Sequence, residues 1–275
     1  MSYTNHHILE FLEDWAPQST KLEYDNVGLL IGNKDKEVSK VVACLDVTSK
    51  VADEAITLGA DLIIAHHPLI FRKLSRITSS DAIGALIYRL IRNDINLIAA
   101  HTNLDAAPGG VSFVLAEKLG LQNTRFLRMD ENGDPADTRE TGFGVIGALP
   151  QAMDVQEFLA HVGDRLGSEG IRYSGSPEWV KNVAVCGGAG SFLSHEALRQ
   201  EADAFLTADL KYHDFFTESA SFLLVDAGHY ESEVPVVGAL CDRLRDRFPE
   251  IEVHSTRVNT NPVNYVFRQQ HQKMK

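Results

Sequence analysis

The chain has 275 residues, with 26 Lys and Arg against 38 Asp and Glu, a formal charge of −12. Hydrophobic residues at 44% and charged residues at 23% exclude a collagen, a long disordered tail, a coiled-coil rod and a disulfide miniprotein. The length allows one large domain or two moderate ones, and the acidity argues against a broad nucleic-acid-binding surface.

The N-terminus, MSYTNHHILE, lacks the basic stretch and apolar core of a signal peptide, and His6 and His7 read as surface residues. A short amphipathic helix is expected over 8–15, stopped by Pro17, then strands over 27–31 and 41–47. Thr48 can cap a helix with Val51, Ala52, Ala55 and Ile56 on one face, ending at Gly59. A wholly apolar strand over 62–65 follows, then a helix over 81–92, a strand over 95–100 and a helix over 110–119.

The stretch 128–140 is polar and turn-rich, and reads as a surface loop and a domain boundary. Beyond it come strands over 144–149, 183–186, 204–206, 222–225 and 250–254. Helices are expected over 155–166, 194–201, 210–218 and 236–247, the last with Pro235 in its first turn. Continuous apolar strands alternating with helices predict an α/β protein of two packed α/β units with mostly parallel, two-sided sheets. The expected domains are 1–127 and 128–275, with the C-terminal segment packing back on the first.

Cys44, Cys186 and Cys241 lie far apart without a CxxC, which fits buried thiols in a reducing cytoplasm. No apolar stretch approaches the roughly 20 residues that span a bilayer.

Open parallel sheets place ligands beyond the carboxyl ends of their strands. After Leu62–Ala65 come His66, His67 and Pro68; after Leu97–Ala100 come His101 and Asp105. After Phe222–Val225 come Asp226, His229 and Glu233. Imidazole with carboxylate suits Zn, Mn, Fe, Co or Ni rather than Mg or Ca. Four imidazoles and two carboxylates exceed the needs of one tetrahedral ion and match two divalent ions sharing a bridging carboxylate. His161, His195, His254 and His271 lack such context and read as structural or surface residues.

The glycine-rich turn Val185-Cys186-Gly187-Gly188-Ala189-Gly190-Ser191 lacks a P-loop Lys-Ser/Thr, and a tight strand–helix connection is its favoured role over anion binding. Lys211 and His213 are substrate-binding candidates, and Asp226 a candidate for orienting a ligand imidazole.

The strings DNVGLLIG, AHHPLIF, AAHTNLD with APGGV, VAVCGGAGS, DAFLTADLKYHDF and DAGHYESE resemble the NIF-three-like family. Its members are also called dinuclear metal center proteins or GTP cyclohydrolase I type 2 homologues. The resemblance runs in order from Asp25 to Glu233. It implies metal ligands at His66, His67, His101, Asp105, His229 and Glu233, with Glu231 the rival carboxylate in the last motif. Asp105 and Glu233 are then the metal-bridging or anchoring carboxylates of an activated-water mechanism. Ser112-Phe113 departs from the family's Asn-Asp after APGGV. The chain resembles the short form, without an inserted middle domain.

The resemblance also implies a homohexameric ring with its metals facing an inner cavity. The expected activity is metal-dependent hydrolysis, cyclohydrolase-like or phosphoesterase-like, of a small anionic or nucleotide-like molecule. The alternative is a non-catalytic structural or regulatory metal protein. Two divalent ions bring four positive charges against two ligand carboxylates, so an electropositive pocket is expected in an acidic protein.

Overall fold

Strands that are apolar at every position are stable only when covered on both faces, and that requirement sets the layering. The computed structural model describes residues 2–130 and 140–266. Its first half contains β1 (Tyr3–Thr4), α1 (Asn5–Trp15), β2 (Gly28–Ile31), β3 (Glu37–Val38), β4 (Lys40–Cys44), α2 (Ser49–Leu58), β5 (Leu62–Ala65), α3 (Ala82–Arg92), β6 (Asn96–Ala99), α4 (Thr102–Asp105) and α5 (Val111–Lys118). There follow β7 (Gln122–Met129), β8 (Gly142–Met153), α6 (Val155–Leu166), β9 (Arg172–Ser174), β10 (Val180–Val185), α7 (Ser194–Arg199), β11 (Ala204–Thr207), β12 (Leu223–Asp226), α8 (His229–Glu233), α9 (Pro235–Arg247) and β13 (Glu252–Ser255).

The first sheet has the order β13-β4-β5-β6-β2, parallel throughout except for the edge strand β2. Alternation along β4 and β5 divides its two cores. Val41, Ala43, Leu62 and Ile64 pack against α1 and α9, while Val42, Cys44, Ile63 and Ala65 pack against α2 and α3. The Thr48 hydroxyl accepts from Val51 N, and Gly59 closes α2 with a φ of 66°.

The second sheet has the order β7-β8-β10-β11-β12-β9. Only β10-β11-β12 are parallel; β7, β8 and β9 pair antiparallel, so this sheet is mixed and not mostly parallel. β7 and β9 were not expected from the sequence. Both lie at sheet edges with largely exposed, polar residues, so they carry no apolar run to mark them. β8 extends past its expected span in both directions.

β7 runs across the expected boundary at 127/128, so the chain changes sheets before Gln122. Most of the expected loop, 131–139, lies outside the described residues, as does His271. β13 returns to pair with β4 of the first sheet. The expected helix over 210–218 is only a 3-10 turn, Tyr212–Phe215. There the Asp214 carboxylate accepts from Lys211 N at 2.8 Å and caps the start of the turn, which ends at its C-cap Phe216.

Among the described residues no helix is long and apolar enough to cross a membrane. All three cysteines are buried and free.

Candidate metal centre

Parallel register levels the strand ends. Cys44 pairs with Ala65 and Ala65 with Ala99, so Asp46, His66, His67 and His101 emerge from one edge of the first sheet. In the second sheet Thr207 pairs with Asp226, which brings Asp209 beside His229. The two carboxyl edges meet, and α8 carries His229 and Glu233 at i, i+4 into the gap.

Each of the four imidazoles is fixed through Nδ1. His66 Nδ1 donates to the Ala100 carbonyl at 2.8 Å, and His67 Nδ1 contacts Asp46 at 2.8 Å. His101 Nδ1 contacts Asp25 at 2.9 Å, and His229 Nδ1 contacts Asp209 at 2.8 Å. An acceptor on Nδ1 selects the tautomer with its proton there and leaves a lone pair on Nε2, the arrangement that metal-ligating histidines need.

Three of those Nε2 atoms, on His66, His67 and His229, face carboxylates. His66 Nε2 lies 3.7 Å from Asp105 Oδ1 and 3.8 Å from Glu233 Oε1. Glu233 Oε2 lies 3.0 Å from His67 Nε2 and 2.9 Å from His229 Nε2, yet has no hydrogen-bond partner. His66 Nε2 and Asp105 Oδ1 are likewise buried without a partner. Lone pairs facing one another in a buried space demand a cation, whether protons or metal ions. Three groups bring ligand atoms within 4.8 Å of one another: His66-His67-His101, His67-His229-Glu233 and His66-Asp105-Glu233. All six expected ligands thus fall in one cluster, with Glu233 common to two groups.

Burial alone would raise the Glu233 carboxyl, but its imidazole neighbours hold it well below the usual carboxylate range. Burial pushes Asp105 up to about 7, opposed by His66 and reinforced by Glu233. Burial pulls His67 down, but Asp46 and Glu233 outweigh it and raise it to about 10. His229 is raised to about 9 because Glu233 and Asp209 likewise outweigh burial.

Glu231 is occupied elsewhere, accepting from Asn261 Nδ2 at 2.8 Å. Asp226 does not orient an imidazole: it accepts from Leu210 N, Gly228 N and the Arg172 guanidinium. Asp209 takes that role instead, with Asp25 and Asp46 doing the same for His101 and His67. Asp25 lies within DNVGLLIG, but nothing in the spacing links it to His101, 76 residues on. Lys211 and His213 are exposed, and His213 lines a separate cavity with His195 rather than facing the cluster.

The glycine-rich turn serves close packing. Gly188 has a φ of +61°, and a Cβ there would stand 2.1 Å from Glu233 Oε1. Its amides are already taken: Gly187 N by Ser112 Oγ, Gly188 N by Ser232 Oγ and Gly190 N by Thr207 Oγ1. Ser112, the departure noted above, therefore holds this turn.

The expected electropositive pocket needs correction. Asp25, Asp46 and Asp209 add three carboxylates behind the ligands. With two divalent ions, the local excess of two positive charges becomes a deficit of one.

Two cavities flank the cluster. One of about 500 Å³ is lined by His67, His229, Asp46, Asp209, Asp226 and Arg172, among others. The other, of about 220 Å³, reaches His101, Asp105, His229 and Glu233.

The family model described as Duf34/NIF3 (NGG1p interacting factor 3) matches residues 3–262. A Clostridium perfringens protein named GTP cyclohydrolase 1 type 2 homolog is 35% identical over 263 residues, covering 94% of this chain and 98% of the relative. A Streptomyces coelicolor protein of the same name is 37% identical, covering 93% and 92%. The solved structure of a Bacillus cereus protein related to NIF3 superposes with a TM-score of 0.89 at 28% identity, covering 96% and 99%.

Proposed function

The chain belongs to the Duf34/NIF3 family, and we propose that it is a dinuclear metal-dependent hydrolase acting on a small anionic or nucleotide-like substrate. The observation that carries this reading is the set of four Nδ1-anchored imidazoles gathered in one cluster with the carboxylates of Asp105 and Glu233.

Two divalent ions fit this donor set. His66 and Asp105 would hold one and His67 and His229 the other, with Glu233 within reach of both pairs and His101 beside His66 and His67. When bound, such ions supply Lewis acidity toward a substrate oxygen and lower the pKa of water to about 7. The chain's own residues do the positioning. Asp25, Asp46 and Asp209 fix the imidazole planes, and burial of His66 and Glu233 keeps bulk water from displacing their donor atoms. The name shared by the curated relatives supports hydrolysis at an electrophilic ring carbon. We take the working form to be a homo-oligomer, a hexamer by family resemblance, which light scattering checks.

The test pairs metal analysis of the purified protein with a phosphoester and nucleotide panel on wild type and His101→Ala. About two divalent ions per chain, and turnover that the substitution abolishes, are expected. Full metal content without turnover of any panel member refutes hydrolysis.

A structural role has one observation in its favour: the ligands come from both sheets, so bound metal would tie the halves together. Under that reading Asp105→Asn lowers the melting temperature sharply; under the catalytic reading it abolishes turnover and leaves the fold intact.

A further inference from the structure

The two cavities beside the metal cluster differ in chemistry. Beyond the metal ligands, the larger is lined by Asp46, Asp209, Asp226 and Glu231, with Arg172 its one cation, already bonded to Asp226. The smaller has no charged residue beyond the ligands themselves. Among the described residues its other walls are Leu22, small residues and four aromatic rings: Tyr24, Phe71, Phe143 and Phe192.

These rings come from both halves of the molecule. Tyr24 precedes β2 and Phe71 follows β5; Phe143 lies on β8, and Phe192 sits in the short turn after β10. They form two edge-on pairs, Tyr24 with Phe71 at 6.1 Å and Phe143 with Phe192 at 6.3 Å. The Arg128 guanidinium lies 4.9 Å above the Phe192 ring. Phe71 also stands edge-on to His101 at 6.2 Å, so the aromatic wall runs up to a metal ligand. Tyr24 is 65% exposed, Phe71 43% and Phe192 51%. Three large rings held beside a polar centre without burying themselves have faces left for something else to cover.

Resting on the hydrolase reading, we propose that this slot binds a planar aromatic or heteroaromatic ring of the substrate. Ring stacking is the interaction that such walls offer, and it requires no charge. The slot touches His101, Asp105, His229 and Glu233 together, so a ring seated in it lies against both groups of ligands. The acidic chamber repels the anionic part of such a molecule, and the Arg128 guanidinium over Phe192 offers it a cation beside the slot. The substrate is therefore a ring-bearing compound rather than a simple phosphoester or a carboxylate.

The experiment measures binding, not turnover. Zinc-loaded protein is titrated calorimetrically with guanosine 5′-monophosphate, adenosine 5′-monophosphate and, as the ring-free control, ribose 5-phosphate. The ring-bearing probes should bind at least about tenfold tighter than the control. Alanine substitution at a stacking position typically weakens base binding by about 5- to 150-fold. The Tyr24→Ala/Phe71→Ala double variant should therefore erase the preference while metal content and circular dichroism stay unchanged.

Equal binding of all three probes, no binding of any, or a preference that survives the double variant overturns the inference. Should the double variant instead change the oligomeric state in light scattering without touching probe affinity, the slot is an interface between copies, and the inference also falls. Ring binding without turnover of any substrate would refute hydrolysis and leave the slot standing. Turnover of ring-free phosphoesters, unaffected by the double variant, would do the reverse.

Discussion

Metal binding at this centre competes with protons on its own ligands. At pH 7 the metal-free protein carries protons on His67, raised to about 10, and on His229, raised to about 9. Asp105, at about 7, is half protonated, while Glu233 is already ionised. Ligation requires neutral imidazole and ionised carboxylate, so filling the centre releases the protons held by His67, His229 and Asp105, about two to three at pH 7. The count rises toward about three at pH 6 and falls toward about two at pH 8. The overall association constant should therefore drop by two to three powers of ten, roughly, for each pH unit lowered, with metal lost by about pH 5. Calorimetry in two buffers of different ionisation enthalpy counts the protons directly, and chelator competition at pH 6, 7 and 8 gives the slope. Release of fewer than one proton, with affinity flat across that range, would show that these Nε2 atoms are not the ligands.

The same groups predict the opposite trend without metal. The raised His67 and His229 contribute stability below about pH 6.5, and it fades as pH climbs through their folded values. Calorimetric melts of chelator-treated protein should therefore show a falling melting temperature from pH 7 to 10. Asp25→Asn removes the charge behind His101 while keeping its shape, so metal affinity should fall by about 10- to 100-fold with the fold retained; unchanged metal content after dialysis would contradict this. Gly188→Ala should displace Glu233 and lose metal, whereas Gly167→Ala, at φ +67° with nothing within 4 Å, should cost about 1 kcal/mol and keep it. Metal analysis beside thermal melts separates the two. Phe205→Ala, in the fully buried centre of β11, should cost about 3–5 kcal/mol in urea unfolding without changing the m-value.

Strands such as Leu62–Ala65 and Leu223–Asp226 were legible because uninterrupted apolar runs have no other way to hide both faces. Thr48 and Gly59 were legible as helix ends because capping is a local matter. The edge strands β7 and β9 were not, since an edge needs little apolar surface, and the antiparallel direction of the interior strand β8 is set by tertiary pairing that no local pattern records. The helix expected over 210–218 is a single 3-10 turn although Asp214 caps its start, so local capping did not decide its length.

By itself the sequence set which candidate donors stand at the strand ends, since His66, His67, His101 and His229 each follow an apolar run that folds as a buried strand. Tertiary structure decided which carboxylate backs each imidazole. Asp25, Asp46 and Asp209 lie 76, 21 and 20 residues from their histidines, and interstrand register and the packing of the two sheets bring them within 2.9 Å. A hydrogen bond depends on distance through space, and separation along the chain carries no record of it. The charge of the centre followed from those partners, so the −12 of the chain gave no guide to the pocket: three further carboxylates turned an expected excess of positive charge into a deficit.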